Sequence, residues 1–204
     1  TAKYRDYTIF NDVRASYWAA GFINMAVREK KIITGMPDGR FMPESSVTFG
    51  QAVTILMRML GYTDADASYN WPNGYIQLAA EKGLTNGVSL GAYANVTRGD
   101  GAILFKNLLL CPVKAESGTG ALFINTIAGS VTEDVLILST DAKTADGQPG
   151  GIQTDESEIS IYKAAATVPD EFVGQRGVLA LDNDGRAWAF VPYTLSRRDI
   201  TVGE

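Results

Sequence analysis

Two stretches of the first 114 residues carry the same landmarks in the same order, and this near-repeat constrains the fold more than any other feature. Trp18 is followed by Ile23 and Ala26, and Trp71 at identical steps by Ile76 and Ala79. Each stretch then reaches a polar-Gly pair, Thr34-Gly35 and Asn86-Gly87. Each crosses a loop to a Val-Thr-x-Gly sequence, Val47-Thr48-Phe49-Gly50 and Val96-Thr97-Arg98-Gly99, and ends in an apolar run. A repeat of about fifty residues is the unit of an architecture in which neighbouring units bury one another's apolar faces.

Each unit reads as helix, loop, helix. Trp18, Phe22, Ile23 and Ala26 recur at three- and four-residue steps, as do Tyr75, Ile76, Ala79 and Ala80 in the second unit, which predicts one buried face on each first helix. Thr48 with Gln51 three residues on is a capping-box pattern, and Thr97 with Asp100 is its counterpart. Gly61 is a C-terminal stop for the second helix of the first unit. Pro37-Asp38-Gly39 is a turn, because Pro presets one dihedral and Gly tolerates a positive one.

Composition narrows the chemistry. The 204 residues are 46% hydrophobic and 20% charged, with a net charge of −5, which suits a folded protein and not a nucleic-acid binder, since phosphate binding needs clustered positive charge. Histidine is absent and Cys111 is the single cysteine. That excludes histidine-based nucleophile pairs, an internal disulfide and a thiolate metal cage. No apolar run reaches the length of a membrane span. The segments "DADAS" and "DNDG" lack calcium-loop spacing and read as a linker and a hairpin turn. Nothing selects a carboxylate pair for glycoside hydrolysis. The reading is of a non-catalytic chain with no cofactor and no metal.

From Pro112 the helical periodicity gives way to short β-like runs: "ALFINTI", "DVLILST", "EISIYK", "GVLALD", "AWAFVPY" and "DITV". "TVPDEFVGQRG" has room for one helical turn. The fold class expected is therefore α+β and multidomain. Its parts are a connector over residues 1–8, helical units over 9–62 and 63–114, a linker over 115–120, and a small antiparallel β barrel or sandwich over 121–204.

The residues of the repeat resemble the S-layer homology family. Phe10-Asn11-Asp12-Val13, Trp18-Ala19, Ile32-Ile33-Thr34-Gly35 and Pro37-Asp38-Gly39-Arg40-Phe41-Met42-Pro43 match its pattern. In the second unit Trp71, Gly83-Leu84-Thr85-Asn86-Gly87 and Thr97-Arg98-Gly99-Asp100 do so. It departs from that pattern in three places: Phe49 stands at the family arginine, "AVREKKIITG" has one extra residue with Lys31 at the usual glycine, and the second unit shows "VSLGAYAN" in place of the Asp-Gly loop. The family usually has three units, and "TAKYRDYT" resembles the connector that follows an earlier one.

The resemblance implies a helical bundle on the cell surface, secreted and attached to the wall, whose grooves hold a secondary cell-wall polysaccharide, often pyruvylated. By that implication Trp18 and Trp71 are sugar platforms, Arg98 the cation for a carboxylate, and Asp12, Asp38, Gly35 and Gly39 the polar rim. Phe49 implies an altered or silent first groove. Plainer roles stand beside these: the tryptophans as core, Asp12 as a cap, Asp38 and Gly39 as turn formers. Two other functions remain open. One is a surface-layer lattice in which the β-region joins copies of the protein, and the other is the accessory region of a wall hydrolase.

Overall fold

The computed structural model describes residues 2–4, 7–156 and 161–193. The chain divides into two compact units, Thr1–Gly120 and Ala121–Glu204. The class is mixed α and β, with four α-helices in the first unit and a five-stranded antiparallel sheet in the second.

The helices are α1 (Ala20–Arg28), α2 (Phe49–Met59), α3 (Asn73–Glu81) and α4 (Arg98–Leu110). Both capping boxes form. The Thr48 hydroxyl accepts from the Gln51 N–H, and the Gln51 side chain accepts from the Thr48 N–H. Thr97 and Asp100 do the same for α4. Gly61, at φ +89°, ends the α2 region in the left-handed conformation that glycine allows.

The first helix of the first repeat differs from the expectation. It begins at Ala20, so Trp18 lies in the preceding turn and is 77% exposed, and Phe22 is exposed as well. The buried face is Ala20, Ile23 and Asn24, packed with Phe10 and Val13. Asn24 is tolerated there because its amide donates to the Tyr4 and Tyr7 carbonyls, both at 2.8 Å. In α3 the inward residues are Tyr75 and Ala79. In α4 they are Leu104, Asn107 and Leu108, with the Asn107 amide donating to the Leu84 and Asn86 carbonyls.

The repeats meet at the start of α2. The first N–H groups of a helix have no partner within it. Those of Phe49 and Gly50 donate to the Ala94 and Ala92 carbonyls, both at 2.8 Å, and Val96 N–H donates to the Val47 carbonyl. The loop of the second repeat thus completes the helix start of the first repeat. This explains Phe49: the position that the family pattern gives to arginine is 2% exposed here. Gly50 is needed at the same contact, since a Cβ would lie 2.7 Å from Pro72 Cβ.

In the second unit the strands are β1 (Ser130–Ala142), β2 (Gly151–Thr154), β3 (Ile161–Lys163), β4 (Arg176–Leu181) and β5 (Ala187–Pro192), in the order β3-β2-β1-β4-β5. The long β1 pairs with β4 along its first part and with β2 along its second, and its register shifts between Thr132 and Val135, where Asp134 has φ +62°. Val135, Ile137, Ile152, Tyr162, Leu179 and Leu181 form the core on one face.

The sheet is not closed into a barrel, and no second sheet stacks on it among the described residues, which corrects the barrel or sandwich expectation. Closure needs a continuous ladder between the outer strands. Here they meet at one parallel bridge, Ala164 with Ala187. "ALFINTI" is a 3-10 turn, Phe123–Thr126, instead of a strand, and it plugs the fully buried Ile124 side chain inward. The Asp182–Gly185 turn joins β4 to β5, and Asp170–Phe172 supplies the helical turn expected in "TVPDEFVGQRG". The expected strand at "DITV" lies outside the described residues, as does part of "EISIYK".

Candidate functional site

A cavity of about 490 Å³ opens within the helical unit, between the turn-bearing loop of the first repeat and the start of the second. Its size suits a ligand of one or a few rings. Two glycines and two carboxylates build the loop wall. Gly39, at φ +80°, turns the chain, with its N–H on the Met36 carbonyl and Met36 N–H on that of Arg40. Asp38 accepts from the Arg40 N–H and guanidinium. Asp12 reaches across 29 residues of chain and accepts from Phe41 and Met42 N–H at 2.9 and 2.7 Å. These backbone donors, that of Phe41 above all, hold its carboxyl below the usual carboxylate range. Gly35, at φ +76°, lets Phe10 pack beneath the loop, since a Cβ would lie 2.2 Å from the Phe10 ring.

The opposite wall comes from α2 and the second repeat. Thr54 turns its hydroxyl onto the Gly50 carbonyl at 2.7 Å and accepts the Trp71 indole N–H at 3.1 Å. That bond fixes the Trp71 ring while leaving the residue 52% exposed at the cavity. Tyr69, 80% exposed with φ +53°, stands at the same cavity. Deeper in, the Arg58 guanidinium is paired with Asp64 at 2.9 Å and donates to the Tyr75 hydroxyl at 3.3 Å, while that hydroxyl donates to Asp64 at 2.7 Å. The Tyr75 hydroxyl first, and then Arg58, hold the Asp64 carboxyl below its ordinary value.

Of the residues expected from sequence, Gly35 and Trp71 line this cavity. Asp12, Asp38 and Gly39 shape its loop from behind, through the hydrogen bonds above. Trp18 and Arg98 are not among the lining residues. Trp18 is an exposed ring beside Tyr17, whose hydroxyl donates to Glu44 at 2.7 Å, next to the lining residues Pro43 and Ser45. Arg98 opens α4 exposed, with no ion-pair partner among the described residues. Sequence reasoning missed Tyr69, Arg58, Asp64 and Tyr75. Asp64 was concealed in a segment read as a linker, and Arg58 at the end of an apolar stripe; the one available signal was a basic residue breaking that stripe. No group of carboxylates, cysteines or histidines suited to a metal ion occurs among the described residues.

Comparison with known proteins places this repeat. The S-layer homology domain family matches residues 9–53 and 61–100. A cell surface protein of Thermoanaerobacter kivui is 28% identical over 180 residues, covering 86% of this chain and 23% of that protein. A surface layer protein of Brevibacillus choshinensis is 39% identical over 82 residues, covering 40% of this chain and 7% of that protein. An endoglucanase of Bacillus sp. (strain KSM-635) is 28% identical over 170 residues, covering 74% of this chain and 18% of that enzyme. The chain spans about a quarter or less of the length of these relatives. No solved structure matches it. Two consecutive segments of the chain thus match the S-layer homology domain, and the chain's place is the cell surface, in association with the cell wall.

Proposed function

We propose that the helical unit is a non-catalytic anchor that binds a secondary cell-wall polysaccharide in the cavity between its two repeats. The observation that carries this reading is the cavity's composition. Two exposed aromatic rings, Trp71 and Tyr69, stand at a space lined by apolar side chains and by Thr54, Asn70, Arg58 and Asp64. Flat rings beside hydrogen-bonding groups suit a sugar, which has an apolar face and a polar rim. Trp18 and Arg98 are proposed as outer contacts along a polymer longer than the cavity. A pyruvylated sugar, where the polymer bears one, would find its cation at Arg98.

Sedimentation with purified wall sacculi, before and after the secondary polymer is stripped, tests this reading. The anchor should pellet with intact sacculi and stay in solution with stripped ones. Equal binding to both would end the proposal. The second unit is proposed to join copies of the protein in a surface layer, and concentration-dependent assembly that maps to residues 121–204 would support that role. Sugar release from purified wall would instead favour a hydrolase.

A further inference from the structure

Arg58 and Asp64 are the only charged side chains among the described residues lining the cavity. They are bound to each other at 2.9 Å, and both touch the buried Tyr75 hydroxyl. The Arg58 side chain is 19% exposed and that of Asp64 58% exposed, so the carboxylate is the more open partner. The cavity therefore offers a donor and an acceptor side by side, with no surplus charge.

A ligand carboxylate brought to Arg58 has two routes, and neither gains a new ion pair. It can lie within a few ångströms of Asp64, where like charges repel. Otherwise it must displace Asp64, and its bonds to Arg58 and the Tyr75 hydroxyl then only replace those that the Asp64 carboxylate already makes, with no net gain. A sugar hydroxyl meets neither obstacle, because it donates and accepts at once. It takes an N–H from the guanidinium and gives its own proton to the exposed oxygen of Asp64. Trp71 and Tyr69 then face the ring.

We infer that the cavity selects an uncharged, hydroxyl-bearing sugar residue of the wall polymer, bridging Arg58 and Asp64, and disfavours a carboxylated one. This rests on the reading that the cavity binds wall polysaccharide. It assigns Asp64 as a specificity-determining residue.

Asp64→Asn tests the sign of the effect, because it keeps the side-chain shape and removes the charge. With a neutral sugar, a weaker acceptor lowers affinity for wall polymer by about threefold to tenfold. With a carboxylated sugar, the same change frees Arg58 and raises affinity. Affinity is read by titrating soluble polymer fragments against the chain, with the melting temperature of each variant as the folding control. The second measurement uses polymer whose carboxyl groups have been reduced to alcohols by carbodiimide activation and borohydride, titrated against the Arg98→Ala chain so that a carboxylate held at Arg98 does not enter, with the unmodified chain as the binding control. The inference predicts that reduced polymer binds within about threefold of native polymer, and that raising salt changes binding little, since no ion pair is screened. It is overturned if Asp64→Asn binds as well or better, or if carboxyl reduction lowers affinity about tenfold or more. In those cases the anchor reading survives, because native polymer is still bound. If neither form of the polymer binds, that reading fails and the inference falls with it.

Discussion

The two repeats share their landmarks and put them to opposite use. In the first, Pro37-Asp38-Gly39 builds a loop that stands as one wall of a cavity. In the second, "VSLGAYAN" lacks that turn, and its Ala92 and Ala94 carbonyls instead close the open start of α2. The residue after each capping threonine follows the same division. Phe49 is buried at the junction of the repeats, whereas Arg98 is exposed at the start of α4. A sequence repeat thus fixes helices and caps, while the loops between them decide which copy carries a surface and which carries a site.

The largest expected effect comes from exchanging the two post-cap residues. Phe49→Arg removes a large core side chain, which costs about 3–5 kcal/mol, and adds the burial of a charge. It does not restore a groove. Arg98→Phe, at the equivalent exposed position, should shift stability by under about 0.5 kcal/mol. Urea unfolding of both variants reads the contrast, and similar losses would break it.

The glycines preceding the two loops sharpen the same comparison. Gly35→Ala forces a Cβ to within 2.2 Å of the Phe10 ring at φ +76°, so a loss of about 2–4 kcal/mol is expected. Gly87 has nearly the same φ, +78°, but a Cβ there meets only Ile103 Cγ2 at 3.7 Å. Gly87→Ala should therefore cost about 1 kcal/mol, from the backbone alone. Equal losses in thermal melts would show that the packing of Phe10 contributes nothing.

The cap substitutions should be smaller and equal. Thr48→Ala and Thr97→Ala each remove one capping hydroxyl, for about 1 kcal/mol. A much larger loss at Thr48 would mean that the bridge between Thr48 and Asn95 depends on the cap.

The gentlest probe is pH. Asp66 accepts from Lys114 and from Thr63 N–H, which hold its carboxyl down to about 2. Asp12 is also held low, by the loop N–H groups. A depressed folded-state value means that this stability is complete above the unfolded carboxylate value of about 4 and lost as pH falls through the folded one. Acid unfolding of the helical unit should deepen between about pH 4 and 2. Asp66→Asn should flatten that slope, and an unchanged slope would remove Asp66 from the account.

Helices were legible because their signals are local. The stripe of α2, its capping box and the Gly61 stop are all contained within a few residues, and the structure matches them. Trp18 misled because a tryptophan in step with Ile23 looks like part of one face, and only the helix start at Ala20 removes it. Strands were less legible. β2 lies outside the runs that read as strands, and "ALFINTI" has strand composition but folds as a 3-10 turn around Ile124. The Arg58–Asp64–Tyr75 cluster was not legible at all, since its members are tied through contacts between α2, the following turn and α3. Gly35 and Trp71 were named from the family pattern, and both line the same cavity.

The central claim is that the cavity between the repeats carries wall binding, and sacculus sedimentation of cavity variants against Arg98→Ala tests it most directly. Trp71→Ala removes a ring from the cavity, and Tyr69→Asn removes another while keeping a residue that tolerates its positive φ. The account predicts that each weakens binding by about tenfold with a melting temperature near that of the parent chain, since stacked aromatic anchors carry binding energy out of proportion to their number. Arg98→Ala, an outer contact, should weaken it less. Undiminished binding by both cavity variants, with binding lost in Arg98→Ala, would contradict the account and move the site to the start of α4.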